Sequence, residues 1–256
     1  MDAQLTIVDV TGSTNDDLLE AGKQGAPHGT GLAARTQTAG RGRRGHKWDS
    51  TAGNLLLSIV LRPCVNPAKY SGLAAVSGLA VLEALEKQGL ANEIGLKWPN
   101  DLVASGRKLG GILVEAARDN EGKPFAVCGI GVNVNYTPQE VPDGGLAAIG
   151  LSDLNESVPA VDMLLDEVYH AVMDAVDTWA ERASTPRKKT PVRSRPSTTN
   201  ISLTSIGSGS TLSPAPPLET SWHEASLKPS MPLVARVSKR KAACDPSILR
   251  RHRCAP

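Results

Sequence analysis

Apolar residues recur along most of this chain in two rhythms, and each rhythm predicts a different element. Residues 5–8, 31–37, 54–61, 95–98, 108–116 and 125–133 are short apolar or alternating runs bounded by Gly, Pro or Asn, the signature of strands. The run 54–61 is strongly apolar, and Pro63 ends it. Three other stretches carry helical spacing. The first opens at Ser13, which can cap it, and continues through about Gln24. Asp16 and Asp17 stand in its first turn, where the helix dipole favours anions. The second is 67–88, with Gly89 as a natural stop, and the third is 161–182. The segment DNEGK at 119–123 separates two apolar strands and predicts a hairpin. Strands come in groups with helices inserted between them, so the expected class is α+β rather than a regular βαβ array.

Composition narrows this picture. At 256 residues the chain is long enough for one or two domains, and only 3% of it is aromatic. The core must therefore be built from Leu, Val, Ile and Ala. No apolar run approaches a membrane span, and the opening MDAQLTIVDV lacks the basic start of a signal peptide. Cys64, Cys128, Cys244 and Cys254 form no CxxC pair, which implies neither zinc nor a disulfide framework. A reducing cytoplasm is the simplest setting.

Charge divides the chain in two. Residues 1–182 carry 15 Lys and Arg against 23 Asp and Glu, a net −8; residues 183–256 carry 13 against 3, a net +10. The second part is rich in Ser, Thr and Pro and shows neither period, so residues 184–256 are expected to be a disordered basic tail. A basic arm for nucleic acid or membrane is another reading of such a tail, but the acid-rich body and the lack of a DNA-binding motif weigh against the nucleic-acid role.

Five segments carry candidate chemistry. GRGRRG at 40–45, followed by Trp48, places three glycines and three arginines in one loop, where backbone can approach an anion and guanidinium forks can hold it. GSTN at 12–15 offers small polar groups at a helix start. KWPND at 97–101 supplies a cation for phosphate and a carboxylate for a metal ion or a basic partner. KLGGIL at 108–113 places a lysine at a strand entrance beside Gly110 and Gly111, which leave no side chain to block a ligand on the sheet. GIGVNVN at 129–135 alternates asparagines on one strand face. Each segment alone also reads as an ordinary turn, cap or strand. There is no P-loop, no GxGxxG, no nucleophile elbow, and no metal-ligand spacing among His28, His46 and His170. Cations, amides and glycine-lined backbone suit activation of a carboxylate by adenylylation, where positioning and charge stabilisation dominate.

Taken in order, STN, QTAGRGRRG with Trp48, KWPNDL, KLGGILVE and GIGVNVN resemble the catalytic domain of the biotin–protein ligases over about residues 2–182. Lipoate ligases share the fold, but GRGRRG and KWPND match the biotin branch better. The resemblance implies a mixed, largely antiparallel sheet flanked by helices, of the class II aminoacyl-tRNA synthetase and biotin synthetase type, in a catalytic domain at 1–183. It implies ATP-dependent formation of biotinyl-5′-AMP and transfer of biotin to a lysine of the biotin carboxyl-carrier domain of acyl-CoA carboxylases. ATP with Mg²⁺ is the implied co-substrate, and a homodimer is an assembly the family admits.

The resemblance also assigns roles. Ser13, Thr14 and Gln37 resemble the residues that bond the ureido ring, with Asn15 beside them. Gly40, Arg41, Gly42, Arg43, Arg44 and Gly45 resemble the loop that orders over biotin and the adenylate; within it Arg43 resembles the arginine that retains the intermediate. Trp48 resembles the aromatic at the loop's base. Lys108 resembles the lysine on the biotin carboxylate, with Gly110 and Gly111 lining the pocket. Arg41, Arg43, Lys97, Asn100, Asp101, Lys108 and Asn133 form the implied nucleotide set, with Asp101 holding Mg²⁺ through ATP; Lys108, Arg43, Lys97 and Asp101 form the implied catalytic set. Many bacterial members begin with a winged helix-turn-helix domain, whereas this chain opens at the catalytic strand, so a monofunctional type without an operator-binding domain is expected. The family's C-terminal β-barrel has no visible counterpart after Arg182. The alternative is accordingly a catalytically impaired protein that binds biotin or its adenylate.

Overall fold

The most apolar of the strands sits inside the sheet, where both its faces are covered. In the computed structural model, which describes residues 4–90, 94–139, 145–185 and 234–235, β3 (Leu55–Leu61) is buried along its whole length. The sheet runs β1 (Leu5–Thr11), β2 (Gly31–Gln37), β3, β7 (Pro124–Val132), β6 (Arg107–Arg118), β5 (Asp101–Ala104), β4 (Ile94–Lys97) and β8 (Val234–Ala235). Only β1 and β2 pair in parallel; every other neighbouring pair is antiparallel, so the sheet is mixed and largely antiparallel, as expected.

Alternation along the strands gives the sheet two unlike faces. One presents Leu57, Ile59, Ile112, Cys128 and Ile130 to the main core. Helix α2 (Leu73–Lys87) covers it with Leu73, Val81 and Leu85, and α3 (Val161–Ser184) adds Leu164, Leu165, Val168, Val172 and Val176. Each such side chain stabilises the fold by about 1.5–3 kcal/mol through burial. The other face is partly covered by α1 (Thr14–Lys23), whose Leu18 packs on Val60, Phe125 and Val127.

Several expectations change in detail. Ser13 occupies the N-cap of α1 but its side chain makes no capping bond. Residues 67–88 are not one helix: Pro67–Gly72 is a 3-10 turn, capped by the Asn66 side chain, and α2 follows. Gly89 does end α2, with φ +76°, the left-handed value that favours glycine after a helix. A strand not expected from the sequence, β5, covers four residues and pairs Asp101 with Lys97 on one side and Gly111 on the other. The DNEGK turn closes the β6–β7 hairpin, with Asp119 Oδ1 accepting from the Glu121 and Lys123 amides. Helix α3 runs two residues past Arg182 to Ser184, whose hydroxyl reaches the Cys64 carbonyl at 2.7 Å. Within the expected tail, Val234–Ala235 pairs with β4 as a short strand. The rest of the segment after Thr185 lies outside the described residues.

Candidate functional site

The floor of the site is a patch where three strands carry small residues on the face away from α2 and α3. Leu56, Gly131 and Gly111 form one cross-strand row, and Ser58, Gly129 and Leu113 form the next. The glycines are required by what lies on them. A Cβ at Gly131 would come within 2.5 Å of the Trp48 indole, and one at Gly129 would overlap the Asn15 carboxamide. GIGVNVN therefore acts here first through its glycines, a role its asparagines obscured.

Around the floor stand the start of α1, the glycine-arginine loop, the KWPND segment and Lys108. Thr14, Asn15 and Ser58 are buried and linked: Ser58 Oγ donates to Asn15 Oδ1 at 2.6 Å and lies 2.7 Å from Thr14 Oγ1. Gln37 Oε1 accepts from the Thr14 amide at 2.8 Å and hydroxyl at 3.0 Å. Its Nε2 donates to Ser50, which in turn reaches the Trp48 carbonyl. Ser13, with no capping bond to make, lines the same pocket.

The loop is a small hairpin folded on itself. Trp48 N–H donates to the Gly40 carbonyl, Gly42 N–H to the His46 carbonyl, and Arg41 bridges Lys47 across it. Gly40 must be glycine because a Cβ there would meet the Trp48 carbonyl at 2.7 Å. Arg44 and Gly45, both at positive φ, form the exposed tip. Arg43 turns inward and its Nη1 donates to Asn100 Oδ1. Asn100 Nδ2 donates to Asp101 Oδ1 at 3.2 Å, and Asp101 Oδ1 lies 2.9 Å from Lys108 Nζ. One continuous chain thus ties the loop, KWPND and KLGGIL together. Lys108 Nζ is also 5.7 Å from the Trp48 ring centroid. The Trp48 Nε1 donor is buried without a partner among the described residues.

Not every candidate converges. Arg41 does line the pocket, but its guanidinium is engaged by Asp16 and Glu115, the latter at 2.8 and 3.1 Å. Burial alone would lower its pKa, but these two carboxylates outweigh that and raise it. Gly110 belongs to the opposite face, between Leu102 and Val132 in the main core, so it lines no pocket on this side; strand alternation separates it from Gly111. Lys97 ends β4 outside the pocket lining, next to Asp101 in register. Asn133 is buried and its Nδ2 donates to the Ile149 and Lys108 carbonyls, bracing the strand that carries Lys108; its Oδ1 has no partner among the described residues. Cys128 is deep in the core, where burial pushes its thiol up to about 11, so it is not a nucleophile.

Two residues were missed. Ser58 sat inside an apolar strand, and only its position in the alternation betrays the face it takes. Glu115 looked like the end of a strand, yet its carboxylate takes Asn15 Nδ2 at 2.8 Å as well as Arg41. The cavity, partly open to solvent, is about 60 Å³, room for roughly two waters, with the indole and the loop occupying space above the floor. Among the described residues no cluster of three His, Cys, Asp or Glu side chains could hold a metal by itself, and no helix is long and apolar enough to cross a membrane.

Comparison with known proteins agrees with this architecture. Residues 7–135 match the model of the biotin/lipoate A/B protein ligase family. The biotin–[acetyl-CoA-carboxylase] ligase of Mycobacterium tuberculosis is 39% identical over 198 residues, covering 75% of this chain and 70% of that protein. The bifunctional ligase/repressor BirA of Bacillus subtilis is 37% identical over 145 residues; this chain spans 44% of its length. The structure of the biotin protein ligase from Aquifex aeolicus in complex with biotin and ATP superposes with a TM-score of 0.58 at 31% identity, covering 70% of this chain and 72% of that one. With its sheet, its loop hairpin and these matches in agreement, the chain belongs to the biotin/lipoate A/B protein ligase family.

Proposed function

We propose that this protein is an ATP-dependent biotin–protein ligase whose catalytic domain is residues 1–183. The observation that carries the reading is the chain from Arg43 through Asn100 and Asp101 to Lys108, set beside a glycine floor and a wall of Thr14, Asn15, Ser58 and Gln37. It puts cations at one end of a pocket and neutral polar groups at the other. Biotin has that division: a carboxylate at one end and a cyclic urea at the other. The Mycobacterium tuberculosis and Aquifex aeolicus proteins support both halves, since one is named for ligation to acetyl-CoA carboxylase and the other was solved with biotin and ATP.

In the first half-reaction a biotin carboxylate oxygen bonds to the α-phosphorus of ATP, and the bond to pyrophosphate breaks. Lys108 neutralises charge where carboxylate and phosphate meet, which is the electrostatic term of greatest weight in such sites. Asp101 holds Lys108 in place until the ligand arrives. Arg43, anchored on Asn100, closes over the adenylate, while Lys97 and Asn100 meet the nucleotide phosphates. A single carboxylate with substrate phosphates is a usual Mg²⁺ site, and Asp101 fits that part; the ion would neutralise phosphate charge. In the second half-reaction a lysine amine of a biotin carboxyl-carrier domain bonds to the biotinyl carbonyl carbon, and AMP leaves. Ligand sites of this class usually enclose about 300 Å³ or more, so opening of the loop hairpin and Trp48 belongs to the proposed binding step.

The test is incubation with biotin, ATP and a carrier domain, followed by mass analysis of the carrier. A mass gain of one biotin on one lysine is expected. Binding of biotin with no transfer would instead make the protein a biotin or adenylate binder.

A further inference from the structure

We propose that Glu115, which does not itself line the pocket, is a positioning residue that sets the direction of the hydrogen bonds in the polar wall and thereby makes that wall select a ring with N–H donors. The proposal rests on the biotin reading above and names what in biotin the wall reads.

An ionised carboxylate only accepts hydrogen bonds. Glu115 accepts from both Arg41 Nη atoms and from Asn15 Nδ2. Asn15 must therefore turn its amide nitrogen to Glu115 and its oxygen inward, to Ser58. Ser58 has one hydroxyl hydrogen and gives it to Asn15, so toward Thr14 and the pocket its oxygen can only accept. Thr14 also has one hydrogen, and two acceptors stand within reach of it, Ser58 Oγ and Gln37 Oε1. Gln37 cannot reverse this from the far end, because its Nε2 is committed to Ser50. The wall therefore holds more acceptor positions than hydrogens, and Thr14, Asn15 and Ser58 are each at most 4% exposed, so the donors that complete it must come from inside the pocket. A cyclic urea, with two ring N–H groups, supplies the missing donors. A ring oxygen at the same place would face a lone pair instead.

The substitution Glu115→Gln tests this directly, because glutamine keeps the shape and still offers Arg41 an acceptor. Its new N–H can donate to Asn15, which lets the Asn15 amide turn over and reverses Ser58 and Thr14 behind it. Adding Asn15→Asp restores an acceptor-only group at the next position, so the double variant recovers the original direction with the same total charge.

The measurement is calorimetric affinity of the full chain for biotin and for the two carbamate analogues in which one ureido N–H is replaced by ring oxygen. Wild type is expected to prefer biotin over at least one analogue by roughly tenfold or more, the size of a buried mispaired hydrogen bond. E115Q should lose most of that preference, and N15D/E115Q should regain it. An E115Q protein with the wild-type preference, or a double variant that binds biotin without recovering selectivity, overturns the proposal. If E115Q does not fold, as judged by circular dichroism, the double variant against wild type decides: an equal preference supports the proposal and a lost one overturns it. Failure of wild type to bind biotin at all sinks the biotin reading, and this proposal with it.

Discussion

Lys108 Nζ lies 2.9 Å from Asp101 Oδ1, and the two residues belong to neighbouring strands whose motifs are separated in the chain by a turn. Both side chains are about three-quarters or two-thirds covered, so the pair is partly desolvated without being sealed. A cation held this way is positioned, and in the proposed reaction an incoming carboxylate and phosphate would replace Asp101.

Lys108→Ala should therefore lower adenylate formation by on the order of 10²–10³-fold, the usual effect of removing one preorganised charge-stabilising group. The fold should survive, since Lys108 is held by backbone bonds to Ala147 and Ile149 that alanine keeps. Biotin-dependent pyrophosphate exchange reads the rate, and a thermal melt reads the fold. A variant within twofold of the parent contradicts the role.

Arg43→Gly should act mainly on retention of the intermediate. Arg43 reaches Asn100 across the pocket, so its loss unlatches the loop from KWPND without touching Lys108. Free biotinyl-5′-AMP released to solvent should rise, while its synthesis falls less. A trap assay for released adenylate measures it, and unchanged release would remove Arg43 from the closing element.

Gly131→Ala tests the floor. Its Cβ would meet Trp48 at 2.5 Å, so the indole must shift and the loop with it. Weaker biotin affinity by roughly tenfold or more is expected, because overpacking a well-fitted contact typically costs 1–3 kcal/mol. Gly12→Ala, at a position with nothing within 4 Å of the added carbon, should bind as wild type and serves as the control.

Acid stability should depend on Asp119. Burial alone would raise its pKa, but hydrogen bonds from Arg62 and from the Lys123 and Glu121 amides outweigh that and hold it below its ordinary 3.8. A carboxylate depressed in the folded state contributes stability that is present above the unfolded value and lost as pH falls through the folded one. The loss should thus fall below about pH 3.8. Asp119→Asn should flatten the unfolding free energy across that window, measured by urea titration at several pH values. An unchanged slope would show that the pair with Arg62 carries no such linkage.

Much of this was legible in the sequence because strand alternation and glycine punctuation are local. β2 and the β6–β7 hairpin stood in the pattern, and so did the loop. What stayed hidden depends on register. Gly110 and Gly111 look alike in a sequence, yet one serves the core and the other the pocket. Ser58 lies inside an apolar run, and only its row with Gly129 and Leu113 shows that it faces the pocket. β5 was invisible because four residues after a proline-containing turn carry too short a period. Glu115 and Arg41 are 74 positions apart, and no local signal could pair them.

In the proposed first half-reaction this pocket makes biotinyl-5′-AMP. The most direct measurement is exchange of labelled pyrophosphate into ATP, run with and without biotin on the wild-type chain and on Lys108→Ala. Exchange that requires biotin and collapses in the variant is the expected result. Exchange that is absent with biotin present, or that proceeds equally without it, contradicts the claim.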